Sequence, residues 1–166
     1  MSQYSIPFAG LKVGKHQFDY ELDEKFFACF EDTELSKSHL HLTALLDKQT
    51  VMMILELRVE GTVNLPCDRC SEPFDLPISL NEKYYIKFGE ESMDDDEIII
   101  LEQGEHEYNI AQKVFELIVV NLPSKRVHEE GKCNPDILKN LEKYQPGEQD
   151  KKTDPRWDML KNIKFN

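Results

Sequence analysis

Apolar and polar side chains alternate strictly along two stretches of the chain, both within residues 50–88. Because successive side chains of a β-strand point to opposite faces of its sheet, a period of two predicts two long strands, each buried on one face. The two strands meet at a Cys-Asp-Arg-Cys sequence, residues 67–70. The apolar positions are odd in the first strand and even in the second: Val51, Met53, Leu55, Leu57, Val59, Val63 and Leu65, followed by Phe74, Leu76, Ile78, Leu80, Tyr84, Ile86 and Phe88.

This change of parity predicts how the chain turns between the strands. With residues 68–69 as a two-residue loop, Cys67 faces Cys70 and Val63 faces Phe74. Both apolar rows then lie on one face of the sheet, as a sheet with one buried side requires. The two thiols would form the outermost rung of the inward row.

Proline and glycine mark the special positions of this hairpin. Pro66 and Pro73 flank the turn, where hydrogen bonds between strands can be dispensed with. Gly61 lies where so long a strand needs a bulge or a sharp coil. A bend at the same glycine would also allow the sheet to curl into a partly closed barrel.

Shorter patterns in the first third predict further strands. Residues 4–8 and 16–22 alternate and are expected to form a first hairpin, and residues 40–46 alternate again before the long hairpin. Residues 24–30 are ambiguous, although their three phenylalanines fit a helical face. Cys29 beside them is interpreted as a buried structural thiol, since free cysteine behaves as a small hydrophobe.

Two helices are predicted in the C-terminal half, after a short buried strand at residues 98–101. Asn109 caps the first helix and Pro123 ends it, and its broad apolar stripe is expected to cover the buried face of the sheet. Residues 134–135, Asn-Pro, supply the cap and the first residue of the second helix.

The expected fold class is therefore α+β, with a long twisted antiparallel β-sheet and C-terminal helices packed on it. Residues 1–144 are expected to form a single domain. Residues 145–166 are predicted to hold a polar linker and a short amphipathic terminal helix, which the Asp-Pro sequence at residues 154–155 opens.

Charge and composition narrow the classes of function. The chain of 166 residues has a net charge of −12 at pH 7, which disfavours wholesale binding to nucleic acid and favours basic partners. Residues 89–107 hold nine acidic residues and no lysine or arginine. No apolar run reaches about 18 residues, and the first residues lack a secretory signal, so a cytoplasmic protein without a membrane span is expected.

The Cys67 and Cys70 pair is the candidate chemistry, and four interpretations compete. They are a thioredoxin-like redox pair, a lone structural pair, a reversible disulfide, and half of a zinc knuckle. The zinc interpretation needs two more ligands, and His128 and Cys133 offer them in a glycine-containing loop after the long helix. Three thiolates and one imidazole make an ordinary structural zinc site, which would tie the hairpin tip to the connection between the helices.

Enzyme signatures are few in this sequence. It contains no glycine-rich phosphate loop, no G-x-S-x-G sequence and no H-E-x-x-H sequence. Its carboxylates cannot be assigned to one cleft. We therefore expect a protein that is not an enzyme.

Two sequences of the C-terminal two thirds form a specific combination: Cys-Asp-Arg-Cys-Ser-Glu-Pro-Phe at residues 67–74 and Asp-Pro-Arg-Trp at residues 154–157. Between them lie the acidic tract, Asn-Leu-Pro at residues 121–123, and the loop with His128 and Cys133. Over residues 50–163 the chain thereby resembles the YceD family, known as large ribosomal RNA subunit accumulation proteins. Many relatives carry a more cysteine-rich second cluster. This chain has only Cys133 there, together with His128, so a four-thiolate site is out of its reach.

The resemblance implies a role in building or stabilising the large ribosomal subunit, through accumulation of its RNA. We expect a non-catalytic ribosome biogenesis factor with two classes of partner, ribosomal RNA in a large-subunit precursor and a basic ribosomal protein, and no small-molecule substrate. The candidate contacts to RNA or partner surround the cysteines, where cationic side chains can reach phosphate: Arg69, Lys125, Arg126 and Lys132.

Two alternative functions stay open. In the first, the chain is an acidic chaperone that binds one basic ribosomal protein through residues 90–107. In the second, Cys67 and Cys70 form a thiol redox pair, and a thiol pKa near that of free cysteine would argue against this function.

Overall fold

The fold combines seven strands and three α-helices in a computed structural model that describes residues 2–30, 35, 37–89 and 97–144. A short 3-10 helix, Ser2–Tyr4, precedes them. In chain order the elements are β1 (Ser5–Pro7), β2 (Gly14–Leu22), α1 (Glu24–Phe27), β3 (His39–Lys48), β4 (Met53–Pro66), β5 (Pro73–Phe88), β6 (Ile98–Leu101), β7 (Glu107–Asn109), α2 (Ala111–Val120) and α3 (Pro135–Tyr144).

Five of these strands form the main sheet, in the order β2-β3-β4-β5-β6. Strands β2 to β5 pair antiparallel with their neighbours, and β6 runs parallel to β5. The α+β class and the long antiparallel sheet are thus confirmed. The partly closed barrel is not observed, because β2 and β6 are the two edges of an open sheet.

The central hairpin, β4 and β5, turns more widely than the sequence predicts. Leu65 lies opposite Phe74 and Val63 lies opposite Leu76, a shift of two residues from the predicted register. The predicted two-residue turn is therefore wrong, and residues 67–72 form the connection between Pro66 and Pro73. A shift of two preserves parity, so the apolar residues of β4 and β5 still share one face, as the alternation predicts. Val51, the first residue of the predicted row, lies before β4 and is 85% exposed.

Hydrogen bonds within the connection account for its length. The backbone N–H of Ser71 donates to the carbonyl of Cys67 (2.8 Å), and the N–H of Cys67 donates to the carbonyl of Glu72 (2.9 Å). Ser71 adopts a left-handed backbone conformation, with φ of 59°. This wider loop turns the sulfurs of Cys67 and Cys70 inward, where both are buried.

Gly61 supplies a sharp coil in β4 without interrupting the pairing. Its φ is +139°, and a Cβ atom built on it would lie 2.4 Å from the carbonyl oxygen of His39 on β3. Pairing with β3 and β5 continues in unbroken register on both sides of Gly61. A side chain at this position would therefore meet backbone, and only glycine fits.

The N-terminal segment departs from the predicted first hairpin. Residues 4–8 do not pair with residues 16–22: β1 pairs with β7, and β2 pairs with β3. The N–H of Ile110 donates to the carbonyl of Tyr4 (3.0 Å), so the chain start lies against the beginning of α2. Short alternating segments do not specify their partners, and the burial of Ile6 among core residues favours this distant pairing.

The prediction for Cys29 is also wrong, since this cysteine is exposed. The ambiguous segment forms a single helical turn, α1, whose Phe26 and Phe27 are buried. Cys29 follows that turn on its outer side, and its thiol donates to the carbonyl of Lys25 (3.3 Å).

One apolar core lies between the inner face of the sheet and α2. The helix begins where Asn109 accepts a hydrogen bond from the N–H of Ala111 (2.9 Å) and ends at Val120, before the predicted stop at Pro123. Part of its predicted stripe is buried, whereas Val119 and Val120 are exposed. The buried residues of this stripe are Ile110, Val114, Leu117 and Ile118.

The predicted second helix is α3, which Asn134 caps by accepting a hydrogen bond from the N–H of Asp136 (3.0 Å). The predicted linker and terminal helix at residues 145–166 lie outside the described residues. The proposed domain division at residue 144 therefore stays a prediction. Among the described residues, every helix is too short or too polar to span a membrane.

Candidate metal centre

Two loops that are distant in sequence meet at one end of the sheet. The loop between β4 and β5 carries Cys67 and Cys70, and the loop between α2 and α3 carries His128 and Cys133. The ligand atoms of all four side chains lie within 4.8 Å of one another. The structure thus brings together the four residues that the sequence offered as metal ligands.

Three of the six separations between the ligand atoms are close to those of a tetrahedral zinc site. With Zn–S bonds of about 2.3 Å and a Zn–N bond of about 2.0–2.1 Å, a tetrahedron separates two sulfurs by about 3.8 Å and a sulfur from a nitrogen by about 3.6 Å. The Cys67 and Cys133 sulfurs are 3.8 Å apart. The His128 Nδ1 atom lies 3.4 Å from the Cys70 sulfur and 3.8 Å from the Cys133 sulfur.

Burial and composition make the cluster a structural type of site. All three cysteines are buried, and His128 is partly buried. Zinc is held in structural sites by four protein ligands, with Cys3His as one of the common sets, whereas catalytic sites keep one position for water. Four protein ligands are available here, so the donor set could hold zinc in a closed coordination sphere.

The backbone around Cys67 favours its thiolate form. Burial raises the pKa of the Cys67 thiol, but backbone N–H groups of His128, Arg69 and Cys70 directed at its sulfur outweigh burial and lower the pKa to about 6. The N–H of Arg69 lies 3.4 Å from this sulfur. Because a metal binds the thiolate rather than the thiol, this arrangement prepares a ligand.

The Cys133 thiol responds in the opposite direction. Burial raises its pKa, and hydrogen bonds and charge repulsion from Cys67 and Cys70 raise it further. Several thiolates packed together repel one another, and a bound divalent cation removes that repulsion. A bound divalent cation would therefore stabilise the deprotonated form of the cluster.

Asp68 and Arg126 join the two loops beside the sulfurs. The N–H of Asp68 donates to the Arg126 carbonyl (2.7 Å), and the N–H of Arg126 donates to the Asp68 carboxylate (2.6 Å). The Arg126 guanidinium lies 3.7 Å from the same carboxylate. These reciprocal contacts hold the loops at a fixed separation independently of a metal.

A second set of contacts fixes α3 and the imidazole. The Asn134 amide donates to the Glu72 carboxylate (2.7 Å), so the cap of α3 is bound to the hairpin loop. The rings of Phe74 and His128 pack with their centroids 5.0 Å apart. The sulfurs pack against Val127 and against the first turns of α3, at Ile137 and Leu138.

The four basic residues that were predicted as contacts lie around the cluster, and they differ in whether they form an ion pair. Arg69 and Lys125 are exposed and have no ion pair among the described residues. Arg126 pairs with Asp68, and Lys132 lies 2.7 Å from Glu129. The side chains of Arg69 and Lys125 are therefore the better placed for a partner.

The residues that join the loops were not found from the sequence. Asp68 and Glu72 have no periodicity or motif of their own, and their partners lie about 60 residues further along the chain. The one available signal was the position of Asp68 between the two cysteines, because a polar residue in a ligand loop commonly hydrogen-bonds nearby backbone.

The thiol redox alternative receives mixed support. The lowered pKa of Cys67 removes the argument that its thiol is unactivated. The pair lies in a hairpin loop, however, and not at the start of a helix, where a dipole would favour a redox thiolate. Cys67 and Cys70 are each only 2% exposed, so a substrate disulfide has little access to either sulfur.

Comparison with known proteins gives one match. A family model described as "Large ribosomal RNA subunit accumulation protein YceD" matches residues 55–164, about two thirds of the chain. The matched part includes the four candidate ligands, and the description names an accumulation factor, not an enzyme. No curated protein and no solved structure matches the chain.

Proposed function

We propose that this chain, which belongs to the YceD family of large ribosomal RNA subunit accumulation proteins, is a non-catalytic factor that binds an assembly intermediate of the large subunit. Such binding would protect the immature RNA and let it accumulate. The convergence of Cys67, Cys70, His128 and Cys133 carries the proposal, because it supports a braced binding platform at the hairpin tip.

In this proposal the cluster holds a structural zinc ion. The zinc ion would supply fixed positive charge that neutralises the thiolates and ties the tip of the hairpin to α3. Two observations support zinc: the tetrahedral separations between ligand atoms and the N–H groups directed at Cys67. The loops carry their own hydrogen bonds, so the ion would rigidify an existing arrangement.

Arg69 and Lys125 are the proposed contacts to ribosomal RNA. Arg69 lies between the two tip ligands, and Lys125 lies beside Arg126 in the opposite loop. A guanidinium and an ammonium on a rigid support reach phosphate oxygens at a low cost in conformational entropy. Such contacts fix position on the RNA and carry no base specificity.

Cosedimentation with large-subunit precursors tests the function. Wild-type protein is expected to travel with the precursors at low salt and to dissociate as salt rises, since phosphate contacts release counterions. The variant R69Q/K125Q should lose most of this association. The matched control K12Q/K15Q removes the same charge from exposed residues remote from the tip and should retain it.

Metal analysis tests the zinc centre separately. Protein purified without added zinc, under reducing conditions, is expected to contain about one zinc ion per chain. A metal content near zero removes the zinc proposal and leaves the family assignment intact. Absence of cosedimentation even at low salt would remove direct binding to the particle, whatever the metal content.

A further inference from the structure

A groove lies between the middle part of β5 and α2, away from the cysteine cluster. It encloses about 390 Å³, and its floor and rim include Tyr84, Leu117 and Val120. Tyr84 and Leu117 are nearly buried, whereas Val120 is 81% exposed at the end of α2.

Carboxylates surround this apolar floor. Glu82, Glu97 and Glu116 line the groove together with Lys83 and Lys113. The Lys113 ammonium lies over the Tyr84 ring and 3.6 Å from Glu116, so part of its charge is already engaged. Negative charge at Glu116 also contributes to the raised pKa of the neighbouring Tyr108, after burial, which is the main cause.

The edge of β5 is open next to the groove. Strand β6 pairs only with Tyr85–Phe88 of β5. Within the described part of the chain, residues 73–83 therefore have no strand partner on that side. Their inner row of apolar side chains is only half-buried: Phe74, Leu76, Ile78 and Leu80.

The hydrogen bonds at β6 show which residues face the open edge. The N–H groups of Tyr85 and Gly89, both odd-numbered, donate towards β6, to the carbonyls of Glu97 (2.8 Å) and Leu101 (3.1 Å). The N–H and C=O groups of successive residues point to opposite edges of a strand. Those of Ser79, Asn81 and Lys83, which are also odd-numbered, therefore point to the same edge as those of Tyr85 and Gly89. Pro73 and Pro77 share this parity and lack an N–H, so they block pairing nearer the tip.

We propose that an extended basic segment of another protein adds to the edge of β5 at residues 78–83 and fills the groove. Its backbone would pair with Ser79, Asn81 and Lys83, in the manner of an added strand. On the side that faces α2, its side chains would place an apolar residue against Leu117 and Val120, and lysine or arginine against Glu82, Glu97 and Glu116. This surface is independent of the cysteine cluster, and the inference rests on the proposed function only for the source of the basic partner.

Charge favours a basic protein segment over nucleic acid as the occupant. Three carboxylates line the groove, those of Glu82, Glu97 and Glu116, and Lys113, one of its two lysines, already pairs with Glu116. Phosphate would be repelled there, whereas a lysine- or arginine-rich strand would be attracted and oriented. An extended segment with apolar and basic side chains would therefore match the unpaired backbone groups, the half-buried apolar row and the carboxylate rim.

Fluorescence anisotropy with a fluorescein-labelled peptide tests this inference on the full chain. The probe has eight residues, with the sequence Arg-Arg-Val-Val repeated twice, so that each face of the added strand carries both residue types. We expect E82Q/E116Q to weaken its binding about tenfold, because two partly exposed charge pairs are lost. The control E60Q/E142Q removes the same charge from exposed residues outside the groove and should change binding less than about twofold.

Two further measurements separate a groove from general attraction to an acidic protein. V120N should weaken binding about threefold through lost apolar contact, while V51N, which changes another highly exposed valine, should have no effect. The same peptide with every second amide N-methylated should bind at least about tenfold more weakly if a strand is added. Equal losses in groove and control variants, or full binding of the methylated peptide, would overturn the proposal.

The remaining occupants give distinct results. A dimer that V120N dissociates in sedimentation velocity would assign the groove to a second copy of this chain. A shift in the emission of Trp157, the only tryptophan, on V120N substitution without peptide would assign it to residues 145–166. Either result overturns the peptide proposal. Loss of peptide binding with intact cosedimentation refutes the groove alone, and the reverse pattern refutes the proposed function alone.

Discussion

The start of β5 and its middle part are built in opposite ways. At its start, near Pro73, the hairpin loop is buried against a second loop, with four ligand atoms within 4.8 Å and reciprocal hydrogen bonds around them. Around residues 78–83, the same strand has an open edge and a half-buried apolar row. The comparison teaches that one hairpin supplies both a candidate metal centre and, within the described residues, a strand edge that no other strand covers.

Charge follows the same division. Residues 67–72 and 124–144, which surround the cysteine cluster, contain six basic and six acidic residues, so the rest of the chain carries the whole net charge of −12. A neutral, braced end is suited to approach RNA, which an acidic surface would repel. The acidic remainder is suited to a basic protein. The division of charge therefore supports two contacts of different chemistry on one factor.

The largest expected effect comes from breaking the closed end. C133S removes one ligand and should reduce the zinc content from about one ion per chain to near zero. It should also lower stability by at least about 3 kcal/mol, or about 6–12 °C in Tm. Metal analysis and thermal unfolding measure both effects. C29S changes the exposed cysteine and serves as the control, with stability expected within about 0.5 kcal/mol of wild type.

The second prediction tests whether the hairpin needs the sharp coil at Gly61. G61A should cost about 2–4 kcal/mol, since alanine is strained at φ +139° and its Cβ would meet the His39 carbonyl oxygen at 2.4 Å. Urea unfolding measures the loss. G10A, at an open position with nothing within 4 Å, should stay within about 0.5 kcal/mol. Similar costs for both variants would contradict a specific role for Gly61.

A third, smaller effect sharpens the distinction between the metal and its protein support. D68A removes the acceptor that joins the loops and should cost about 1–2 kcal/mol, because the Arg126 N–H loses its partner. Zinc should still bind but should transfer faster to a colorimetric chelator. E130A removes an exposed carboxylate from the same region and should leave the transfer rate unchanged. An unchanged rate in D68A would show that the Asp68 carboxylate does not hold the loops around the metal.

The smallest effect lies on the solvent-exposed face of the sheet, away from both regions. His41 Nδ1 donates a hydrogen bond to the Glu21 carboxylate (2.9 Å). This bond and the nearby Asp19 raise the pKa of the His41 imidazole above its usual value of about 6.5. The raised pKa stabilises the fold fully below about pH 6.5, and this stabilisation is lost as pH rises through the folded-state pKa. NMR titration of His41 should show the raised pKa in wild type and a lower one in E21Q. E142Q should leave it unchanged.

Period-two alternation predicted the long strands well because half of each strand is buried. The rows that include Leu55 and Tyr84 share the inner face as predicted, even though the register differs by two residues. Register depended on the loop at residues 67–72, whose backbone bonds and inward sulfurs have no counterpart in the alternation. Parity is a local property of side chains, whereas register depends on the turn and on what the turn contacts.

The sequence predicted the candidate ligands of the site, but it did not predict the residues that hold the two loops together. Cysteine and histidine are rare and chemically distinctive, so Cys67, Cys70, His128 and Cys133 could be grouped from spacing alone. Asp68, Arg126 and the other bridging residues belong to common polar types that any surface contains. Their importance comes from a contact between loops about 60 residues apart, which only the packed chain creates.

The sequence by itself determined the α+β class, the strand faces, the caps of α2 and α3, the ligand set and the family resemblance. Each follows from local spacing or from residue chemistry, which do not depend on distant contacts. The tertiary structure decided the pairing of β1 with β7, the exposure of Cys29, the wide hairpin turn and the groove beside β5. These features arise where segments far apart in the chain compete for the same buried surface, and that competition is settled only when the whole core packs.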